Sequence, residues 1–287
     1  MKIIKTIAAV KKETRKLKGK TFGFVPTMGC LHQGHLSLME QSLRENDVTV
    51  VSIFVNPTQF APNEDLDSYP RDLKKDEKSL KELGVDILFF PDVKEIYPGG
   101  YSTYVQVEEL YKVLCGKSRP THFRGVTTVV LKLFNIVAPD NAYFGSKDAQ
   151  QAVIIKKMAL DLNLDVTIKA LPIVRDTDGL ALSSRNTYLS GPQREAALCL
   201  PKALRKAEEL IAAGLEDAAQ IKTEIVKELQ QSKLVEIDYV EIVSLNSLKT
   251  YERSEGTMDI DVNNTLVAAA VKLGKTRLID NFILGEI

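Results

Sequence analysis

Residues 48–55, VTVVSIFV, are apolar and largely β-branched on both faces of an extended chain. A strand of this kind cannot leave one side in water. It needs helices packed above and below it, which is the setting of a central strand in a parallel sheet. The neighbouring sequence supplies such partners. Residues 21–25 read as a short apolar strand, 35–44 as an amphipathic run, and 72–83 as a charged helix stopped by Gly84. Residues 85–90 form the next expected strand, followed by a helix over 125–137, a strand over 142–144, a helix over 148–161 and a strand over 165–170. Strands alternating with helices imply an α/β fold with a doubly wound parallel sheet. After Gly179 the texture changes. Residues 192–214 and 216–231 read as two amphipathic helices, and 235–243, 265–271 and 277–280 as strands, giving a smaller α+β C-terminal domain. The expected division is 1–177 and 178–287, in keeping with roughly 150 residues per domain.

Charge and cysteine usage narrow the function. Lys+Arg 38 balances Asp+Glu 38, so there is no basic excess for a nucleic-acid surface or for an electrostatic hold on anionic membranes. No apolar run approaches the roughly 20 residues of a spanning helix, and the first residues lack a signal peptide's apolar core, so a cytoplasmic protein is expected. Cys30, Cys115 and Cys199 are odd in number and form no CxxC pair, which excludes a disulfide framework and a cysteine-built zinc site. Of three histidines, His32 and His35 share one four-residue stretch and His122 stands apart.

That stretch is the strongest signal. Met28, Gly29, Cys30, Leu31, His32, Gln33, Gly34 and His35 fall between an expected strand and its helix, where α/β sheets bind ligands. Helix-start amides favour anions, the two glycines would let a phosphate approach the backbone, and the histidines could donate to phosphate oxygens. A metal site is the alternative, but catalytic zinc wants a third protein ligand; ordinary helix-start residues are another. The chain has no P-loop, GxGxxG or GxSxG motif, and HxGH at such a turn points to transfer at the α-phosphate of ATP. Further patches are Gly145, Ser146, Lys147 and Asp148 at a second strand-to-helix junction, and Ser183, Ser184 and Arg185 in a loop suited to closing on phosphates. Each has a plain structural alternative, as a helix cap or a serine turn. Asn56 and Gln59, just after the apolar strand, suit a small polar substrate with hydroxyl and carboxylate groups, or else mark an Asn-Pro turn. They open residues 56–71, the longest stretch without an obvious element. Residues 119–125 could bind an anion or form a solvated loop. Cys30 lies near a helix N-terminus that could lower its pKa, but a catalytic thiol would need a base.

PTMGCLHQGH, SIFVNPTQF, RPTHFRGV, FGSKDAQQ, DGLALSSRN and RLIDN, in this order over about residues 21–281, resemble the pantothenate synthetase (pantoate–β-alanine ligase) family. HxGH alone is shared with wider nucleotidyl transferases, whereas its combination with VNPTQF and LSSRN is far more specific. The resemblance implies a Rossmann-like ATP-binding domain, a C-terminal lid and a homodimer. It also implies an AMP-forming ligation of (R)-pantoate with β-alanine through a pantoyl adenylate, with ATP as co-substrate and Mg²⁺ on the polyphosphate. Residue by residue, it implies His35 as proton donor, with His32 and Lys147 on the phosphates. Residues 28–35 and 145–148, Val174, Leu182, Ser183, Ser184 and Arg185 would bind ATP, and Gln59 and Gln151 would bind pantoate with β-alanine nearby. Mg²⁺ ligands on the protein are not assignable. The family commonly has Glu where Ser146 stands and Gly where Thr121 stands. Alternatives are an HxGH nucleotidyltransferase acting on a phosphorylated cofactor precursor, disfavoured by the neutral NPTQF, and an ATP-sensing non-catalytic relative.

Overall fold

The fold is described from a computed structural model covering residues 1–62, 64–251 and 259–287; residue 63, inside the expected long loop, lies outside the described residues. The chain opens with β1 (Lys2–Ile4) and α1 (Ile7–Lys16), then runs β2 (Phe22–Thr27), α2 (Gln33–Glu45), β3 (Val48–Ile53), α3 (Leu73–Leu83), β4 (Ile87–Phe89), α4 (Val93–Ile96), α5 (Cys115–Ser118), α6 (His122–Val137), β5 (Asn141–Gly145), α7 (Ala149–Asp161) and β6 (Thr167–Leu171). These six strands form one parallel sheet in the order β1-β4-β3-β2-β5-β6.

All six residues of β3 are buried, as its two apolar faces require. The period of two then sorts the layers. Phe24, Val50 and Phe89 pack with Val126 and Val130 of α6 on one side, while Val25, Val51 and Leu88 pack with Leu38 and Met39 of α2 and Leu80 of α3 on the other. Gly84 ends α3 at φ 92, the left-handed stop expected of it. Strand order reverses between β2 and β5. The crevice beyond the carboxyl ends of those two strands is therefore the switch point at which doubly wound sheets bind ligands. Both the His32–His35 turn and the Lys147 turn leave from it.

The rest of the chain comprises α8 (Gly191–Ala196), α9 (Cys199–Ala212), α10 (Ala218–Leu229) and an antiparallel sheet of β7 (Glu236–Ser244), β8 (Thr265–Leu273) and β9 (Thr276–Leu284). One face of this sheet, with Val240, Ile242, Val267 and Ala269, packs on Leu204 of α9 and Ile221 and Ile225 of α10. Leu266 and Ala268, on the other face, join the core of the parallel sheet.

Three expectations need correction. The single helix over 192–214 is two, α8 and α9, because Pro201 has no amide hydrogen and fits only in a first helical turn, where amides are unbonded. The helix after β5 begins with a 3-10 turn, Ser146–Asp148, and α6 starts three residues early, at His122. β1 and α1 had no expected counterpart.

Candidate active site

Two consecutive left-handed residues, Gly29 (φ 84) and Cys30 (φ 51), curl the chain between β2 and α2. The curl presents the amides of Cys30 and Leu31 to Asp76 of α3, whose oxygens accept them at 2.8 Å each. Asp76 is 2% exposed, and burial pushes its pKa up against the downward pull of those two amides. The protein thus places its own carboxylate on two of the amides expected to attract phosphate. The expected lowering of the Cys30 pKa does not occur: burial first, then Asp76, push the thiol up.

His32 occupies the N-cap position of α2 and His35 lies one turn in, with ring centroids 4.1 Å apart. The His32 amide donates to His35 Nδ1 at 3.4 Å, so in the neutral ring the proton resides on His35 Nε2. Gly34 makes room for the pair, since a Cβ there would stand 3.0 Å from the His32 ring. Burial, then the charge of Lys147, lowers the His32 pKa to about 4; burial, then His32, lowers that of His35 to about 3. At neutral pH both rings are uncharged donors rather than cations.

Across the cleft, a 3-10 turn (Pro57–Gln59) follows β3. Asn56 is tied to the protein by every polar atom of its side chain. Its oxygen accepts from Thr58 and from the Tyr97 hydroxyl, and its nitrogen donates to Gln59 Oε1 and to the Gly125 carbonyl, both at 3.1 Å. Asn56 therefore holds Gln59, whose Nε2 also touches Met28 Sδ at 3.0 Å. The Gln59 carbonyl accepts from Arg119 and from His122 Nδ1 at 2.9 Å, which leaves His122 Nε2 without a proton in the neutral ring. Burial, then Arg119, lowers the His122 pKa to about 3. Of two adjacent glutamines, Gln150 is structural, bonded to Cys115, Leu110 and Val113, while the Gln151 amide makes no hydrogen bond among the described residues.

Both arginines aimed at the cleft are paired with carboxylates of the 56–71 loop. Arg185 grips Asp65 at 2.9 and 3.0 Å, and Arg119 grips Glu64 at 2.6 and 2.7 Å. Tyr69 and Ser184 share a hydrogen bond of 3.3 Å, and the Tyr188 hydroxyl donates to the Ser68 carbonyl. Lys147 has no ion pair among the described residues.

A cavity of about 240 Å³ at the switch point is lined by Met28, His32, Gly34, His35, Asn56, Gln59, Gly145, Lys147, Asp148, Gln151, Val174, Leu182, Ser183, Ser184 and Arg185. It adjoins one of about 730 Å³, which shares Lys147, Asp148, Gln151, Ser183 and Arg185 and extends to β8 and β9. Most residues singled out from the sequence thus converge. Gly29, Cys30, Leu31, Gln33 and Ser146 do not line the smaller cavity: Gly29 faces a separate apolar hollow, Cys30 and Leu31 are held on Asp76, and Gln33 is exposed. Sequence reading gave no role to Asp76, to Glu64, Asp65 and Tyr69 within the long loop, or to Asn281 within RLIDN.

Comparison with known proteins identifies the family. The family model described as pantoate-beta-alanine ligase matches residues 2–283. The pantothenate synthetase of Acetivibrio thermocellus is 56% identical over 286 residues, 99% of each chain, and that of Thermotoga petrophila 54% over 287 residues, 99% of this chain and 100% of the other. Among solved structures, pantothenate synthetase from Thermus thermophilus superposes with a TM-score of 0.92 at 42% identity, covering 99% of this chain and 100% of that one. Pantoate-beta-alanine ligase from Francisella tularensis, complexed with beta-gamma ATP and beta-alanine, gives 0.79 at 37%, covering 99% and 97%. With a family model spanning nearly its whole length and relatives more than half identical from end to end, the chain belongs to the pantoate–β-alanine ligase family.

Proposed function

We propose that the switch-point cleft joins (R)-pantoate to β-alanine at the expense of ATP, in two steps. A pantoate carboxylate oxygen attacks the α-phosphorus, forming an acyl–phosphate bond as the bond to pyrophosphate breaks. The β-alanine amine then attacks the acyl carbon, the C–O bond to AMP breaks, a C–N bond forms, and the amine gives up its proton. The observation that carries this reading is the convergence of two neutral imidazoles, a lysine unpaired among the described residues and two glutamine amides on one cleft. Acyl transfer to an amine from so good a leaving group needs positioning more than a protein nucleophile.

His35 Nε2–H donates to the phosphate oxygen on which charge grows, a contact typically worth about 2.7–4 kcal/mol of barrier. His32 and Lys147 lie beside it, Lys147 as a point charge on the phosphates. Ser183, Ser184 and Arg185 take the distal phosphates once Asp65 is displaced, and Val174 and Leu182 flank the nucleotide. Gln59, fixed by Asn56, and the uncommitted Gln151 bind pantoate, with β-alanine adjacent.

The residues fit a magnesium ion carried by the nucleotide. Among the described residues no three His, Cys, Asp or Glu side chains converge into a cage, and Asp148 is a carboxylate on the cleft without an ion-pair partner. When bound, Mg²⁺ neutralises the polyphosphate, mainly through phosphate oxygens and waters. Residues 178–287 are read as a lid domain, and the protein as a homodimer, on the strength of the family resemblance; the cytoplasmic location is proposed from the sequence alone. No helix among the described residues is long and apolar enough to cross a membrane. Labelled pyrophosphate should enter ATP when pantoate is present and β-alanine absent; no exchange under those conditions would overturn the adenylate order.

A further inference from the structure

We propose that Asn281, on β9, is a positioning residue of the adenylation step that acts through Lys147. The proposal rests on the reading of Lys147 as a phosphate ligand. The turn carrying that lysine, Ser146–Asp148, lies between β5 and α7 and has no side-chain cap: neither Gly145 before it nor Asp148 at the start of α7 makes a side-chain capping hydrogen bond. Its carbonyls are held from outside. Asn281 Nδ2 donates to the Ser146 carbonyl at 3.0 Å and to the Lys147 carbonyl at 2.9 Å. Both acceptors are carbonyls, so the amide can point only one way. The side chain is 4% exposed, and water is therefore a poor substitute for these bonds.

Asn281 is itself anchored. Its backbone amide donates to Asp280 Oδ1 at 2.8 Å, and Asp280, 2% exposed, holds Arg175 through bonds of 2.7 and 3.0 Å. Arg175 also donates to the Gly179 carbonyl, and its neighbour Val174 accepts the Leu182 amide at 3.0 Å. Asp280 and Asn281 therefore tie two stretches of the nucleotide site to one strand: the lysine turn and the backbone leading to Ser183. β9 is pinned in turn by continuous pairing with β8. Lysine has a long flexible stem, so its ammonium is placed only as well as its backbone is. A shift of about 1 Å at a reacting centre can lower a rate by about 10²-fold.

The test is a double-mutant cycle read by pyrophosphate exchange. Asn281→Ala should lower the exchange kcat by about 10–100-fold with the KM for pantoate unchanged, and should add less than about threefold once Lys147→Ala is present, as expected for residues acting through one another. Losses that multiply, or an unchanged kcat in Asn281→Ala, would overturn the proposal. Near-normal exchange by Lys147→Ala alone would instead remove the role of the lysine, and with it the basis of the proposal. If Asn281→Ala does not fold, as judged by its thermal midpoint, Asn281→Asp serves in its place: it keeps the side-chain volume and cannot donate both bonds.

Discussion

A neutral imidazole and a charged one do different work beside a phosphate, and in this cleft burial has made the choice. His35, with its pKa lowered to about 3, offers a hydrogen bond without adding a positive charge, leaving the charge to Lys147. His35→Ala should lower kcat by roughly 10²–10⁴ with the fold retained, checked by steady-state kinetics alongside circular dichroism. Ala variants of Gln59 and Gln151 should lose pantoate affinity more than ATP affinity; equal losses by calorimetry would count against their assignment. The same burial sets a stability window. The folded pKa of His122, about 3, lies below its unfolded value near 6.5, so between these limits the unfolded chain binds the extra proton. Stability is full above pH 6.5 and falls with acidification, by up to about 1.4 kcal/mol per pH unit for each such histidine. Denaturant titrations from pH 7 to 5 should show this slope. His122→Asn, which keeps a donor for the Gln59 carbonyl, should flatten it by one histidine's share.

Local elements place these side chains by close approach. The turn bearing Gln59 lies against the start of α6 because position 125 has no Cβ; one added there would meet the Thr58 carbonyl oxygen at 2.4 Å. Gly125→Ala should cost about 1–3 kcal/mol of stability, and kinetically should raise the KM for pantoate more than that for ATP. What the sequence makes legible follows from the same locality. β3 was readable because two apolar faces admit one environment, and the His32–His35 turn because its residues are adjacent in the chain. β1 and α1 escaped notice because two of the three residues of β1 are exposed and α1 fully buries only Val10. Asp76 and Asn281 escaped for another reason: they reach partners 45 and 134 residues away, and no periodicity records such a bond. Gln150 and Gln151 are alike in type, and no pattern tells that Gln150 alone is tied to Cys115, Leu110 and Val113.

Across the whole molecule, the cleft mouth is spanned by a clasp between the 56–71 loop and the 3-10 turn Ser184–Tyr188, made by Asp65 on Arg185, Tyr69 on Ser184 and Tyr188 on Ser68. In the proposed function a nucleotide must win Arg185 from Asp65. Asp65→Asn should therefore tighten ATP binding by about three- to tenfold, the equivalent of a partly exposed ion pair of about 0.6–1.4 kcal/mol. Weaker binding by calorimetry would mean that Asp65 orients the arginine instead. The bond from Asn281 to the lysine turn also bears on how the molecule matures. The parallel sheet can acquire its strands and helices while that turn still lacks its two donors, which arrive only when the β7–β9 meander has formed and docked. Contacts so distant in sequence close slowly. On dilution from denaturant, far-UV ellipticity should therefore return ahead of pyrophosphate exchange, and competence for catalysis should emerge as the latest event of refolding.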